Sequence, residues 1–204
     1  MKEIIYLYKL DDKEMLLEKE SEIFRLLPKW RQEKAEKLKN EESRLQSIAA
    51  GRVLMLAQGE NPELKEFSIT HSGEYVAVVV SDSKVGIDIE YKTDKDFKIT
   101  NRMFDSDDIE YISDSQKRFR DVWTVKEAFL KCTGEGISVP LSSFTTDYSY
   151  IEENGMGSIV SKGYELKGEY YLRTTSLDDG EYSLTLCSTN PNLTLDIRRV
   201  EVLV

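Results

Sequence analysis

The chain has 204 residues, 40% of them hydrophobic and 32% charged, and carries a formal net charge of −10. This length suits one large domain or two small halves, and the acidity argues against a nucleic-acid partner, which would repel the protein. No apolar run approaches the roughly 20 residues that a membrane-spanning helix needs. His71 is the single histidine, which excludes multi-histidine sites, and Cys132 and Cys187 lack the spacing of a zinc site. We therefore expect a cytoplasmic protein without a membrane contact.

The first part of the sequence predicts a strand, three helices and a strand hairpin. Apolar residues at nearly every position near the N-terminus are typical of a buried strand. Pro28 ends the first helix, and Ser72 and Gly73 form the turn of the hairpin. The predicted elements are a strand over 1–10, helices over 12–27, 29–39 and 43–58, and strands over 67–70 and 75–80.

The same order of elements then repeats. Asp105 offers a helix cap, and Gly134 and Gly136 end the longer helix. The repeat predicts an α+β pseudo-dimer of two similar halves, residues 1–84 and 85–204, with the active site in the cleft between them. The elements of the second half are a strand over 85–91, helices over 105–112 and 119–131, and strands over 170–176, 182–188 and 196–204.

Two acids alternate on the strand predicted over 85–91. Side chains two apart on a strand point to the same side, so Asp88 and Glu90 share one face while Ile87 and Ile89 face the core. Two carboxylates held so close repel each other unless a cation or a proton intervenes. Oxygen ligands of this kind suit Mg²⁺ better than zinc. The alternative is an edge strand with two solvated acids.

Glu127 supplies a third carboxylate from the helix predicted over 119–131. Lys126 and Lys131 flank it, and their charges would neutralise phosphate groups. Both lysines cannot lie fully on one helix face, so one of them is expected to contribute more. The alternative is an ordinary surface ion pair between Glu127 and Lys131, because residues four apart on a helix are neighbours. The spacing alone leaves a third metal ligand and a surface pair equally open.

A polar turn and a basic helix are candidates for anion binding. Thr70, His71 and Gly73 combine a hydroxyl, an imidazole and a permissive backbone, which together can hold a phosphate. The alternative is an ordinary polar histidine in a turn. The chain has no Gly-x-Ser-x-Gly elbow, P-loop or Gly-x-Gly-x-x-Gly motif. The basic helix, which a solvated face also explains, carries Lys29, Arg31, Lys34, Lys37 and Lys39.

Taken together, these segments resemble the 4′-phosphopantetheinyl transferases of the long, surfactin-synthetase-activator type. Their order and spacing also match that family, and the joint match is specific where any one segment alone is not. The matching segments are Ser68–Gly73, Gly86–Glu90, Arg102–Phe104 and Trp123–Lys131, with a weaker likeness over Arg31–Arg52.

The resemblance implies a ligand and a set of site residues. Coenzyme A would lie between the two halves, and residues 102–120 would meet the carrier protein. Asp88, Glu90 and Glu127 would surround Mg²⁺, which also binds the pyrophosphate of coenzyme A. The residues implied in binding coenzyme A are Arg31, Lys34, Thr70, His71, Asp88, Lys126 and Lys131.

The implied reaction moves the phosphopantetheine arm of coenzyme A to a serine of an acyl or peptidyl carrier protein, and adenosine 3′,5′-bisphosphate leaves. Serine is a weak nucleophile, so a base must take its proton, and Glu127 is the candidate, acting directly or through a metal-bound water. Lys131 would stabilise the developing charge. Asp88 would hold the metal that offsets charge on the pyrophosphate. Because the two halves are built into one chain, a monomer is expected.

Two alternatives to this transferase stay open. A catalytically degenerate relative would bind coenzyme A or a carrier protein without turnover. In its favour, the Gly-Lys-Pro segment of many relatives is missing before the His-Ser turn, although Lys65 lies nearby. An unrelated Mg²⁺-dependent phosphoryl-transfer enzyme is the second alternative. The intact acids and lysines favour the transferase.

Overall fold

The computed structural model describes residues 1–10, 13–92 and 103–201, without the side chains of residues 13–15 and 137. It has the predicted α+β class. The first elements are β1 (Glu3–Lys9), α1 (Lys13–Leu26), α2 (Lys29–Glu36), α3 (Glu41–Glu60), β2 (Glu66–Ser72) and β3 (Tyr75–Ser81). These are followed by β4 (Val85–Tyr91), α4 (Ser106–Ile112), α5 (Gln116–Thr133), β5 (Phe144–Thr145), α6 (Tyr148–Asn154), β6 (Met156–Ser158), β7 (Val160–Ser161), β8 (Tyr171–Leu177), β9 (Tyr182–Ser188) and β10 (Ile197–Val200).

Two four-stranded sheets form the centre of the molecule. The first sheet has the order β10-β1-β3-β2, and the second has the order β4-β9-β8-β6. In each sheet the leading strand pairs antiparallel with the later strand of a hairpin, β1 with β3 and β4 with β9. The C-terminal strand β10 returns to the first sheet and lies parallel to β1. A third, two-stranded sheet pairs β5 with β7.

The alternation of apolar side chains places each sheet between two buried layers. On β1, Ile5 and Leu7 face the second sheet, whereas Ile4 and Tyr6 face helices α1 to α3. Such two-sided burial explains why the strand is apolar at nearly every position. The second sheet is covered on its far side by a cluster that includes Phe129 of α5. The layers therefore run helices, sheet, sheet, helices.

Capping residues explain why two helices begin earlier than predicted. The Asn40 side chain accepts a hydrogen bond from the Ser43 N–H, so α3 begins at Glu41. Ser115 caps α5 in the same way, and this helix therefore begins three residues before the predicted start. Gly134 ends it in the left-handed conformation, as expected. No helix in the described part of the chain is long and apolar enough to cross a membrane.

Candidate active site

The two sheets are joined where their outer strands β2 and β4 run side by side. Ser68, Thr70 and Ser72 lie at alternate positions of β2, and their hydroxyls point towards β4. The hydroxyl oxygens accept hydrogen bonds from backbone N–H groups of β4. The pairs are Ser68 with Ile87 (3.2 Å), Thr70 with Ile89 (3.3 Å) and Ser72 with Tyr91 (3.0 Å). This hydroxyl ladder fixes the strand that carries both candidate acids.

Asp88 lies at the centre of the site and is 5% exposed. Its Oδ1 accepts hydrogen bonds from Thr70 Oγ1 at 3.0 Å and from the Lys131 ammonium at 2.6 Å. Its Oδ2 is buried and has no hydrogen-bond partner among the described residues. Burial raises the pKa of Asp88 to about 6, against the attraction of Lys131, and the charge of Glu90 adds to the rise. A solvated acid on an open strand face, the alternative considered from sequence, is therefore wrong for Asp88.

Helix α5 covers Asp88 because a glycine lets it approach closely. A Cβ atom on Gly86 would lie 2.0 Å from the Ala128 carbonyl oxygen and 2.4 Å from the Cys132 backbone nitrogen. Only hydrogen fits in that space. The close approach brings Lys131, from the last turn of α5, over β4, where its ammonium also donates to the Ile87 carbonyl at 3.2 Å.

The other two candidate acids lie on either side of Asp88 along these elements. Glu90 follows on β4, and its Oε2 accepts a hydrogen bond from Ser72 Oγ at 3.0 Å. Glu127 lies one helical turn before Lys131 and is half-buried. Lys131 pairs with Asp88 and not with Glu127, so the surface pair considered from sequence is not formed. Glu127 lines a cavity of 310 Å³ together with Met103, Trp123, Leu130, Val139, Pro140, Leu141 and Ser142.

Cationic side chains from α2, β2 and α5 lie together beside the two acids of β4, Asp88 and Glu90. Lys34 of α2 and His71 of β2 keep exposed surface, but the surrounding protein desolvates both. Desolvation lowers the pKa of Lys34, and the charges of Arg31 and Lys131 lower it further. Desolvation also lowers the pKa of His71, and among the neighbouring charges that lower it further, Lys34 has the largest effect. A site that depresses the pKa of several cations favours an anionic ligand.

Two residues that were expected to contact the ligand, Arg31 and Thr70, are buried. Arg31 is 1% exposed and donates to the Ser47 carbonyl and, at 3.3 Å, to Ser47 Oγ. Its guanidinium adds positive charge to the cluster, and the direct phosphate contact expected of it stays a prediction. Thr70 is 5% exposed, and its hydroxyl is engaged by Asp88 and the Ile89 N–H. Thr70 thus positions the acid, and the nucleotide contact expected of it stays a prediction.

Lys126 lies away from the cluster, in the interior. Its side chain is 0% exposed, and its ammonium forms an ion pair with Asp108 at 2.6 Å. It also donates to the carbonyls of Leu141, at 2.9 Å, and Phe144. With no exposed surface, this ammonium has its partners inside the protein, and the assignment of Lys126 to a ligand phosphate stays a prediction. Of the two lysines flanking Glu127, Lys131 is the one at the site.

The fit of a metal ion rests on Asp88. Among residues 1–10, 13–92 and 103–201, no group of three acidic, histidine or cysteine side chains is placed to hold one, so the predicted gathering with Glu90 and Glu127 is not observed. Mg²⁺ needs fewer protein ligands, because it commonly binds one or two carboxylates together with phosphates and water. The buried Oδ2 of Asp88, which has no hydrogen-bond partner among the described residues, is an oxygen suited to bind the ion. The residues present therefore fit Mg²⁺.

The raised pKa of Asp88 predicts a pH dependence of stability in metal-free protein. Its pKa rises from 3.8 to about 6 on folding, so the folded state holds the proton more tightly. Stability from this group is present below about pH 4 and is lost as the pH rises through 6, by about 3 kcal/mol for two pKa units. Urea unfolding of the wild type and Asp88→Asn, both in chelator, isolates this effect. A wild type that gained stability over Asp88→Asn between pH 4 and 7 would contradict it.

Sequence inspection missed the ladder residues Ser68 and Ser72. The available signal was a run of hydroxyls at alternate positions of β2, directly before a strand with acids at alternate positions. Arg102, which belongs to one matching segment, lies outside the described residues.

Sequence comparisons with known proteins match the part of the chain that carries Asp88, Glu90 and Glu127. The sequence profile of the 4′-phosphopantetheinyl transferase superfamily matches residues 84–187, half of the chain, including β4 and α5. Among curated relatives, the 4′-phosphopantetheinyl transferase psf-1 of Bacillus pumilus is 37% identical over 130 residues, which are 61% of this chain and 53% of that relative. Sfp of Bacillus subtilis strain 168 is 32% identical over 149 residues, 68% of this chain and 62% of Sfp.

A third relative, gsp of Aneurinibacillus migulanus, is 29% identical over 142 residues, 67% of this chain and 57% of gsp. The chain thus spans somewhat more than half the length of the curated relatives that it matches. The resemblance noted in the sequence is confirmed: the chain belongs to the 4′-phosphopantetheinyl transferase superfamily.

Proposed function

We propose that the protein transfers the 4′-phosphopantetheine arm of coenzyme A to a serine of an apo carrier protein. The observation that carries the proposal is the Asp88–Lys131 pair, held at 2.6 Å beside the cationic cluster. Coenzyme A carries a pyrophosphate and a 3′-phosphate, and both would be drawn to this locally positive region of an acidic protein. Membership of the superfamily supports the same reaction.

The exposed cations are the groups available to bind the phosphates. Lys34 and His71 reach the surface, and Lys131 is 30% exposed at its side chain. The depressed pKa values of His71 and Lys34 would both rise when an anion binds, so that binding favours their protonated, cationic forms. Arg31 strengthens the positive field from within.

The chemical step joins the carrier serine oxygen to the β-phosphorus of coenzyme A and breaks the bond from that phosphorus to the bridging oxygen. The bridging oxygen leaves with adenosine 3′,5′-bisphosphate. Glu127 takes the serine proton, and its half-buried place in the lining of a mostly apolar cavity suits a general base. Lys131 stabilises the negative charge that develops on the phosphate oxygens.

Mg²⁺, with Asp88 and Glu90 as ligands, would supply further charge neutralisation at the pyrophosphate. Glu127 is free of any ion pair among the described residues, so a third ligand role stays compatible with its proposed role as base. The Thr70 and Ser72 hydroxyls keep the two acids of β4 in place whether or not an ion is bound.

We also propose that residues 1–84 and 85–204 form the two halves of a pseudo-dimer, with coenzyme A in the cleft between them. The matching strand orders β1-β3-β2 and β4-β9-β8 support this. Residues 102–120 are the proposed contact with an acyl or peptidyl carrier protein. On this proposal the protein acts as a cytoplasmic monomer, with no nucleic-acid or membrane partner.

One assay tests the function directly. The protein is incubated with coenzyme A, Mg²⁺ and a panel of apo carrier proteins, and each carrier is weighed by mass spectrometry. The expected result is the gain of one phosphopantetheine arm by at least one carrier. Binding of coenzyme A without any mass gain across the panel would instead favour the degenerate relative. Absence of both binding and transfer would refute the proposal.

Replacing Glu127 by glutamine tests the proposed base. Glutamine keeps the shape and hydrogen-bonding reach but cannot accept the serine proton. We expect the turnover number to fall by roughly 10²–10⁴-fold, with a much smaller change in coenzyme A affinity. Steady-state kinetics and calorimetric titration measure the two quantities separately. Equal losses in both would show that Glu127 only holds the ligand.

A further inference from the structure

Two large aromatic side chains lie exposed and side by side at one end of the cationic cluster. Trp30 of α2 is 47% exposed and Phe67 of β2 is 39% exposed. Their ring centroids are 6.2 Å apart at an interplanar angle of 35°. The Arg31 guanidinium lies 5.4 Å from the Trp30 ring centroid and holds it by a cation–π contact. The pair therefore presents a held aromatic surface to solvent.

The periodicities of the two elements relate this surface to the cations. On α2, Trp30 and Lys34 are four residues apart, so they share one helix face at a separation of about 6 Å along the axis. On β2, Phe67 and His71 lie on the same strand face, about 13 Å apart. That face is opposite the hydroxyl ladder. The charges of Lys34 and Lys131 both act on His71, so these three cations lie near one another. The aromatic pair thus lies at one end of a stripe formed with Lys34, His71 and Lys131.

We propose that Trp30 and Phe67 form a platform on which the adenine ring of coenzyme A stacks while its phosphates extend along the stripe of cations. The inference rests on the proposed function and names the residues that would recognise the base. A purine joined through ribose to phosphates has an aromatic end and an anionic end. The stripe offers an aromatic surface at one end and positive charge along the rest, so the two are complementary in both character and order.

Stacking on an aromatic surface contributes affinity without demanding hydrogen bonds to the base edge. The platform therefore predicts that affinity depends on the presence of a base more than on its identity. A coenzyme A analogue with guanine in place of adenine should bind within a few-fold of coenzyme A itself.

Binding titrations of folded variants test the platform with three probes: coenzyme A, adenosine 3′,5′-bisphosphate and inorganic pyrophosphate, which has no base. Trp30→Ala and Phe67→Ala should each weaken the two base-containing probes roughly tenfold and leave pyrophosphate unchanged. Trp30→Phe should retain most of the affinity. Tyr150→Ala, an exposed aromatic of α6 outside the stripe, is the matched control and should bind all three probes normally.

Fluorescence gives a second readout. Trp30 and Trp123 are the two tryptophans of the chain. In a Trp123→Phe background, adenosine 3′,5′-bisphosphate should quench Trp30 emission, and pyrophosphate should not.

Three results would overturn the inference while leaving the proposed transferase intact: unchanged coenzyme A affinity in Trp30→Ala and Phe67→Ala, equal weakening of all three probes, or weakened carrier binding with normal coenzyme A binding. The last would mean that the aromatic pair docks the carrier. If the wild type bound no coenzyme A at all, both the platform and the proposed function would fall.

Discussion

Replacement of Lys126 by methionine is expected to lower the free energy of unfolding by about 3–5 kcal/mol. The Asp108 carboxylate is 0% exposed and would lose the cation 2.6 Å away. Thr145 Oγ1, at 2.7 Å, and the Asp105 N–H, at 3.0 Å, would be its remaining donors. Coenzyme A affinity should change little in whatever fraction stays folded. Chemical unfolding and calorimetric binding measure the two effects.

The matched control is the same substitution five residues later on the same helix. Lys131→Met should reduce transfer by roughly 10²–10³-fold, because the charge that faces the phosphates is removed. Its effect on stability should be much smaller than that of Lys126→Met, since Asp88 already has a pKa of about 6 and takes up a proton when its partner is gone. If Lys126→Met were stable and lost coenzyme A binding, the sequence-based assignment of Lys126 to the ligand would be supported instead.

Gly86→Ala should both destabilise the protein and abolish most of the activity. The new methyl group would overlap the backbone of α5 at Ala128 and Cys132, and backbone atoms cannot rotate out of its way. The helix must therefore lift from β4, at a cost of about 1–3 kcal/mol or more. Lifting separates Lys131 from Asp88, so transfer falls even at temperatures where the variant remains folded.

Gly59→Ala is the control for the Gly86 substitution. Gly59 lies near the end of α3, and an added Cβ atom there meets nothing within 4 Å. Alanine at such a position should be neutral or stabilising by about 0.4–1 kcal/mol. Thermal unfolding and the carrier assay on both variants provide the comparison. A Gly86→Ala protein with wild-type melting temperature and turnover would show that α5 is not held against β4 as described.

The sequence predicted most of the longer elements because their signals are local, but it predicted neither α6 nor the short strands β5, β6 and β7. Strand β4 was predicted with the bounds observed, since polar residues flank a short apolar run, and the Asp105 cap marked α4 correctly. The bounds of α5 were less accurate because Ser115, four residues before the predicted start, was not recognised as its cap. Such errors are small because caps shift only the ends of a helix.

The environment of the candidate site residues was harder to predict, because it depends on contacts distant in sequence. Alternation on β4 correctly put Asp88 opposite the core side chains, but nothing local shows that α5 covers that face. The partner of Lys126 lies on α4, and its two carbonyl acceptors follow α5, so its burial could not be deduced from its position beside Glu127. Helical spacing showed only that Lys126 and Lys131 must differ.

The hydroxyl ladder between β2 and β4 has a consequence for how the chain behaves among other copies. Each of these strands is the outermost of its sheet, and an outermost strand with open N–H groups can recruit a strand from another molecule. Here three N–H groups of β4 are already taken by the side chains of Ser68, Thr70 and Ser72. The acid-bearing strand is thereby protected from intermolecular strand addition, and with it from aggregation, without the prolines or lysines that usually guard such edges.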